Sequence, residues 1–84
     1  MASKTAIADK VLAIMASELK RDVNSLNLGQ RLKEDLELNS LDAIELVFRF
    51  EGDFDLSIPD EDVEKLTTIG DIVNYVETRL AERG

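Results

Sequence analysis

The 84-residue chain contains no cysteine, no histidine and no tryptophan, and it has only one proline. Without cysteine it has no disulfide, no thiolate nucleophile and no zinc–thiolate site, and without histidine it has no imidazole base. A catalyst would have to work with carboxylates alone, because the usual machinery of acyl transfer cannot be built from these residues. We therefore expect a carrier or a binding module and not an enzyme.

Aromatic residues and long apolar runs are also scarce. Aromatics make up 5% of the chain and hydrophobic residues 44%, which predicts an aliphatic core of modest stability in one domain spanning residues 1–84. No apolar run approaches the length of a membrane span, and the first residues lack the apolar region of a signal peptide. We expect a cytoplasmic monomer that does not insert into membranes.

Basic residues are the minority, ten against eighteen acids, for a net charge of −8. This balance disfavours nucleic acid as a partner. Residues 34–64 hold twelve of the acids and one base, Arg49. Such a run is ordinarily a solvated surface. Because it surrounds Ser40, the serine at the start of the predicted second helix, we favour a docking surface for basic partners.

Helical spacing of apolar residues predicts an all-α fold, a small four-helix bundle of three longer helices and one short helix. The predicted helices cover residues 6–19, 40–51, 60–65 and 69–82. Ser3 or Thr5 is expected to cap the first helix, and Thr68 with Asp71 to form a capping box for the fourth. Gly52 is expected to end the second helix in the left-handed conformation.

A long polar segment, residues 21–33, follows the first helix. It carries too many apolar side chains for a free linker, and Gly29 is expected to supply a backbone conformation that other residues resist. We predict an ordered loop pinned to the core by Val23, Leu26, Leu28 and Leu32.

Ser40 directly precedes the amphipathic run of the second helix, the usual place of a capping residue. The first turn of a helix directs N–H groups and partial positive charge outward, so a phosphate esterified to Ser40 would be favoured there. On spacing alone, simple capping is the more common meaning of such a serine.

The second helix is apolar on much of its circumference, so one side must be buried and the other offered to a partner. We assign Leu46 and Phe50 to the core. The side chains assigned partly to the exposed side, next to Asp42, Glu45 and Glu51, are Leu41, Ile44 and Phe48.

Several motifs together resemble the acyl carrier protein family, from about Ile7 to Tyr75 without a gap. They are Glu34-Asp35-Leu36, Asn39-Ser40-Leu41-Asp42, Ile44-Glu45-Leu46-Val47, Ile58-Pro59-Asp60-Glu61 and Leu66-Thr67-Thr68-Ile69. The resemblance implies that Ser40 carries 4′-phosphopantetheine, attached covalently from coenzyme A by a separate phosphopantetheinyl transferase. It implies a carrier of acyl thioesters in fatty acid or related lipid or polyketide biosynthesis.

The resemblance also implies docking by acyl-transferring and synthase enzymes with basic surfaces. The residues expected to bind these partners are Leu41, Asp42, Ile44, Glu45, Phe48, Glu51, Asp60 and Glu61. A marginal aliphatic bundle can also part to shelter the acyl chain. The residues expected to line that acyl pocket are Leu32, Leu46, Phe50, Val63, Leu66 and Tyr75.

Three positions depart from the family pattern. Asn39 replaces the usual aspartate before the serine, Arg49 adds a positive charge to the second helix, and Gly52 stands where an acid is common. Because one repulsive charge can set partner choice, we expect a specialised stand-alone carrier, with a housekeeping fatty-acid carrier as the close alternative.

The acids after the second helix mimic part of a calcium-binding loop, but Ile58 stands at the sixth position, where the sharp turn of an EF-hand requires glycine, and Pro59 stands at the seventh. Only weak divalent-ion binding is expected, at Glu51, Asp53 and Asp55, where the helix dipole disfavours negative charge. An alternative function is therefore an acidic, divalent-ion-responsive adaptor that binds a basic helix without modification of Ser40. A carrier of amino acids or peptides is a third possibility.

Overall fold

The structure, a computed structural model that describes residues 4–82, is built of α-helices around one aliphatic core. In chain order the helices are α1 (Lys4–Leu19), α2 (Ser40–Phe54), α3 (Asp60–Val63) and α4 (Ile69–Glu82). The predicted all-α bundle of three longer helices and one short helix is confirmed. Helix α1 begins at Lys4, two residues before the predicted start, so Thr5 lies within the helix and is not its cap; the alternative cap, Ser3, lies outside the described residues.

Three helices supply most of the core, and α1 packs against both α4 and α2. Each presents apolar side chains three or four residues apart, so that they share one face. The buried residues are Ile7, Val11, Ile14 and Met15 of α1, Leu46, Phe50 and Phe54 of α2, and Ile69, Ile72, Val73 and Val76 of α4. The burial of Leu46 and Phe50 confirms their assignment to the core.

The end of α2 differs from the prediction. Gly52 does not terminate the helix, which continues to Phe54 and ends at Asp55 in the left-handed region (φ 54°, ψ 55°). Packing explains the extra turn, because Phe54 is buried and its ring lies 6.3 Å from that of Phe50. Lys10 of α1 supports the same turn, donating to the Asp53 carbonyl at 3.3 Å.

The segment after α1 is ordered, although only two of its four predicted anchors are buried. Leu26 and Leu32 lie in the core, whereas Val23 and Leu28 are 42% and 40% exposed. Backbone hydrogen bonds to the start of α4 replace the missing anchors: Gly70 donates to the Leu28 carbonyl at 2.8 Å. Further bonds join Ile69 N to Gln30 O and Leu32 N to Thr67 O. Gly29 does not adopt the left-handed conformation expected of it.

The last two helices begin where predicted. Helix α3 starts at Asp60 and ends at Val63, two residues before the expected end. The capping box of α4 is present, with Asp71 N donating to Thr68 Oγ1 and Thr68 N donating to Asp71 Oδ2, both at 3.1 Å. Within residues 4–82 no helix combines the length and the apolar character needed to cross a membrane.

Candidate functional site

Ser40 is the first residue of α2, and its neighbour Asn39 is the residue that caps the helix. Asn39 Oδ1 accepts a hydrogen bond from Asp42 N at 2.9 Å, and Asp42 Oδ2 accepts one from Asn39 N at 3.3 Å. The interpretation of Ser40 as the cap is therefore wrong, since asparagine is an equally good capping residue and stands one position earlier. As a result, the Ser40 hydroxyl is not needed to hold the helix.

The Ser40 side chain is exposed, and its hydroxyl forms no hydrogen bond with the residues that the structure describes. The capping box uses Asp42 N, so the amides of Ser40 and Leu41 remain directed outward at the positive end of a 15-residue helix. A phosphodiester on Ser40 would meet two backbone donors and a favourable dipole. These residues fit a phosphate-linked prosthetic group.

The segment before Ser40 is held by side chains that the sequence analysis did not single out. Leu36 and Leu38 are buried, 2% and 7% exposed, and Leu38 N donates to the Leu32 carbonyl at 3.0 Å. Between them Glu37 adopts φ 57°, in the left-handed region. The sequence signal that could have predicted their burial is the presence of two leucines, separated by one residue, inside an acidic motif. They anchor to the core the chain that leads into α2 and Ser40.

One face of α2 carries the apolar side chains predicted to be exposed. Leu41, Ile44 and Phe48 are 63%, 47% and 67% exposed, and we call these three residues the docking strip. They recur at spacings of three and four residues and so form a line along the helix that begins beside Ser40. Their predicted exposure is confirmed, and their role in binding stays a prediction.

The acids assigned to partner binding fall into two groups. Glu45, Asp60 and Glu61 are exposed, and within residues 4–82 their carboxylates form no hydrogen bond or ion pair. Asp42 and Glu51 are partly buried and serve the fold: Asp42 belongs to the capping box, and Glu51 Oε2 accepts from Ile58 N at 2.8 Å. The first group therefore has the unpaired charge that a basic partner would meet.

Arg49 does not present an unpaired charge on α2. Its guanidinium lies 2.7 Å from Glu18 Oε1 of α1 and 3.2 Å from Asp53 Oδ2 on its own helix. The hydrogen bonds with Asp53 and Glu18 raise the pKa of Arg49 above its ordinary value. Its charge is paired at the protein surface with two carboxylates of the same chain, and the pair with Glu18 joins α1 to α2.

The predicted acyl-pocket residues lie in or against the same core. Leu32, Leu46 and Phe50 are fully buried within it, and Val63, Leu66 and Tyr75 are half-buried at its edge. Leu66 and Tyr75 also line an open depression of about 300 Å³ between the end of α3 and α4. The six residues are thus part of one hydrophobic cluster, with α3 and its following turn over one side.

The three acids proposed for divalent ions are not gathered into a metal site. Within residues 4–82 no group of three or more potential ligands is placed to hold a metal ion. Glu51 is bonded to Ile58 N, and Asp53 pairs with Arg49. Their engagement relieves part of the repulsion that motivated the divalent-ion prediction.

The fold is that of a small all-helical domain, and Ser40 is exposed at the first residue of α2. The chain matches the phosphopantetheine attachment site family over residues 9–76. It is 41% identical to an acyl carrier protein from an Exiguobacterium species over 78 residues, which cover 93% of this chain and 99% of that protein. It is 40% identical to an acyl carrier protein from Thermotoga maritima over 80 residues, 95% of this chain and 99% of that one. The chain belongs to the acyl carrier protein family.

Proposed function

We propose that this protein carries acyl groups as thioesters on 4′-phosphopantetheine attached to Ser40 Oγ, and that it performs no catalysis itself. The observation that carries the proposal is the Ser40 hydroxyl, exposed at the first residue of α2 and released from capping by Asn39. When attached, the arm supplies the thiol that this cysteine-free chain lacks. Membership of the family supports the same assignment.

Membership of the family implies that a separate phosphopantetheinyl transferase attaches the group, and this chain has no histidine or cysteine that could serve as a base near Ser40. Ser40 Oγ attacks the β-phosphorus of coenzyme A and forms the new O–P bond. The bond from that phosphorus to the oxygen bridging to the α-phosphate breaks, and adenosine 3′,5′-bisphosphate leaves. The hydroxyl proton passes to a base of the transferase. The chain's own contribution is to hold the serine in reach and to offer backbone donors to the phosphate.

The partners that fit this surface are enzymes of fatty acid or related lipid or polyketide biosynthesis with basic docking faces. The docking strip supplies apolar contact, and the unpaired carboxylates of Glu45, Asp60 and Glu61 supply long-range attraction. Such contacts favour fast, reversible encounters, which a carrier visiting several enzymes needs. Asn39 beside the attachment site distinguishes this chain from the usual family pattern and supports a specialised carrier.

Intact mass after incubation with coenzyme A, Mg²⁺ and a broad-specificity phosphopantetheinyl transferase tests the proposal. The wild-type chain is expected to gain one phosphopantetheine group and Ser40→Ala none. Ser57→Ala is the matched control, since Ser57 is also exposed and also lies near a helix start. An unaltered wild-type mass would refute the carrier function and leave the adaptor that binds a basic helix. Modification in Ser40→Ala would refute the site.

A further inference from the structure

The segment from Ile58 to Thr67, which contains α3, lies across one side of the core as a strap. None of the four residues of α3 is buried, and its Pro59 cap makes no side-chain hydrogen bond. Only Ile58 is fully buried, while Val63 and Leu66 are half-buried against the core. A four-residue helix has no stability of its own, so contacts with the rest of the protein must keep the strap in place.

Both ends of the strap are held through the backbone. At the first end Ile58 N donates to Glu51 Oε2 of α2 at 2.8 Å. At the second end Thr67 O accepts from Leu32 N at 2.9 Å, and Thr67 N donates to Asp71 Oδ2 at 3.0 Å. These bonds fix the two ends and leave the middle of the strap to be held by side chains.

Besides the packing of Val63 and Leu66 against the core, one side-chain hydrogen bond joins the middle of the strap to α4. Tyr75 of α4 donates its hydroxyl to Asp62 Oδ2 of α3 at 2.6 Å, and Arg79 Nη1 donates to the same hydroxyl at 2.6 Å. Within residues 4–82 this is the only side-chain hydrogen bond that joins α3 to α4. Because the Tyr75 oxygen accepts the hydrogen bond from Arg79, the hydroxyl proton of Tyr75 is directed at Asp62.

We propose that the Asp62–Tyr75 hydrogen bond is the latch of this strap, and that an acyl chain enters the core when the latch breaks while both ends stay attached. An open depression lined mostly by polar residues, to which Leu66 and Tyr75 also contribute, lies beside the Tyr75 end of the latch. Val63 and Leu66 pack against the hydrophobic cluster that contains Leu46 and Phe50, so their outward movement would open a path into that cluster. The entry of an acyl chain rests on the proposed carrier function, whereas the latch itself does not.

The latch is tested first on the unmodified protein by amide hydrogen exchange. Tyr75→Phe removes the hydroxyl and keeps the ring, and Asp62→Ala removes the acceptor. Both are expected to speed exchange at Val63 N and Glu64 N, which are bonded within α3, by about tenfold, the factor for one hydrogen bond of roughly 1.4 kcal/mol. Exchange in α1 is expected to change much less.

Glu18→Gln is the matched control, because it weakens an ion pair between α1 and α2 that is remote from the strap in the chain. Equal acceleration of α3 exchange in Glu18→Gln and Tyr75→Phe, or no acceleration in Tyr75→Phe, would overturn the latch. This arm does not depend on Ser40, so it separates a failed latch from a failed carrier function.

The second arm uses the protein loaded with an octanoyl group on its prosthetic arm. In Tyr75→Phe the latch no longer has to be broken, so acylation is expected to raise Tm by more than it does in the wild type. The Tm increment of Glu18→Gln is expected to match the wild type. An unchanged increment in Tyr75→Phe would overturn the link between the latch and acyl entry.

Discussion

The Tyr75 hydroxyl lies 2.6 Å from a carboxylate oxygen of Asp62 and joins α4 to α3. Burial raises the pKa of Tyr75 above its ordinary value, the bond to Asp62 raises it further, and Arg79 acts in the opposite direction. Burial and Asp62 together outweigh the guanidinium. The protonated hydroxyl is therefore the form that the folded protein favours.

This shift predicts a loss of stability in strong alkali. Because the pKa is higher in the folded protein, the contribution of Tyr75 is fully present below the ordinary tyrosine pKa of about 10 and is lost as the pH rises through the folded value. Absorbance of tyrosinate is a clean measure, since Tyr75 is the only tyrosine and there is no tryptophan. We expect a midpoint above that of the urea-unfolded chain. Asp62→Asn is expected to lower the midpoint, and coincident midpoints for folded and unfolded wild type would contradict the assignment.

Substitution by alanine is expected to change the free energy of unfolding in opposite directions at two helical glycines. A Cβ at Gly52 meets nothing within 4 Å, whereas a Cβ at Gly70 would lie 3.1 Å from the Leu28 carbonyl oxygen. Gly52→Ala is therefore expected to raise the free energy of unfolding by about 0.5–1 kcal/mol. Gly70→Ala is expected to lower it, because the backbone bond between Leu28 and residue 70 would have to lengthen.

Urea unfolding followed by circular dichroism measures both glycine variants. Gly52→Ala is the control for Gly70→Ala, since both positions are helical and both gain helix propensity. Equal stabilisation in the two variants would show that the close approach of the loop to α4 carries no cost.

The sequence predicted the helices and the exposed face of α2 well because both depend on local patterns, whereas Ser40 as the attachment site stays a prediction. Apolar residues at helical spacing, the Thr68–Asp71 pair and the exposed face of α2 are all confirmed. Each of these features is determined by residues three or four positions apart, a range over which side-chain directions on a helix are fixed.

The wrong predictions concern features determined by contacts between distant segments. Within residues 4–82 the residues with a left-handed φ are Lys20, Glu37 and Asp55, and no glycine there has one. Gly29 and Gly52 looked like the natural choices, but burial of Phe54 extends α2 past Gly52. Val23 and Leu28 were predicted to anchor the segment after α1, but they are exposed. Backbone hydrogen bonds to the start of α4 hold the segment instead, and no local sequence pattern predicts these bonds.

The left-handed backbone of Glu37 predicts that a glycine at this position stabilises the protein. Its φ of 57° is a conformation that costs a side-chain-bearing residue about 1–2 kcal/mol and costs glycine little. We expect Glu37→Gly to raise the free energy of unfolding by about 0.5–1 kcal/mol, less than the full strain because glycine is freer in the unfolded chain.

Two variants separate strain from other effects of that change. Glu37→Gln removes the charge and keeps the strain, so it should not reproduce the gain. Lys33→Gly places glycine at a nearby exposed position without a left-handed φ and should lower stability. If Glu37→Gly lowered the free energy of unfolding as much as Lys33→Gly does, the backbone at Glu37 would not be strained.

Two substitutions of Asn39 are expected to separate its role in capping α2 from its effect on the modification of Ser40. Asn39→Ala removes the acceptor for Asp42 N and should cost about 1 kcal/mol in thermal or urea unfolding. Asn39→Asp keeps an acceptor and should stay within about 0.5 kcal/mol of the wild type, since both residues cap well. The added carboxylate beside Ser40 can attract Mg²⁺, so we expect faster transferase modification of Asn39→Asp at low Mg²⁺. Equal modification rates at every Mg²⁺ concentration would remove any role for the neutral amide.

Acyl loading is expected to stabilise the protein in proportion to chain length, because each methylene that enters the core leaves water and contributes at most about 0.8 kcal/mol. Melting temperatures of the butanoyl, hexanoyl, octanoyl, decanoyl and dodecanoyl forms should rise and then level off when the available space is filled. Flat values across the series would refute shelter of the chain.

The same series can locate the chain within the molecule. Leu66→Ala removes a half-buried side chain of the strap at the edge of the core and is expected to change the slope of Tm against chain length. Leu41→Ala removes an exposed side chain of the docking strip, next to Ser40. It should leave the slope unaltered if the chain lies inside the bundle. An effect of Leu41→Ala as large as that of Leu66→Ala would place the acyl chain along the outside of α2, and the shelter of the acyl group would then come from its partners.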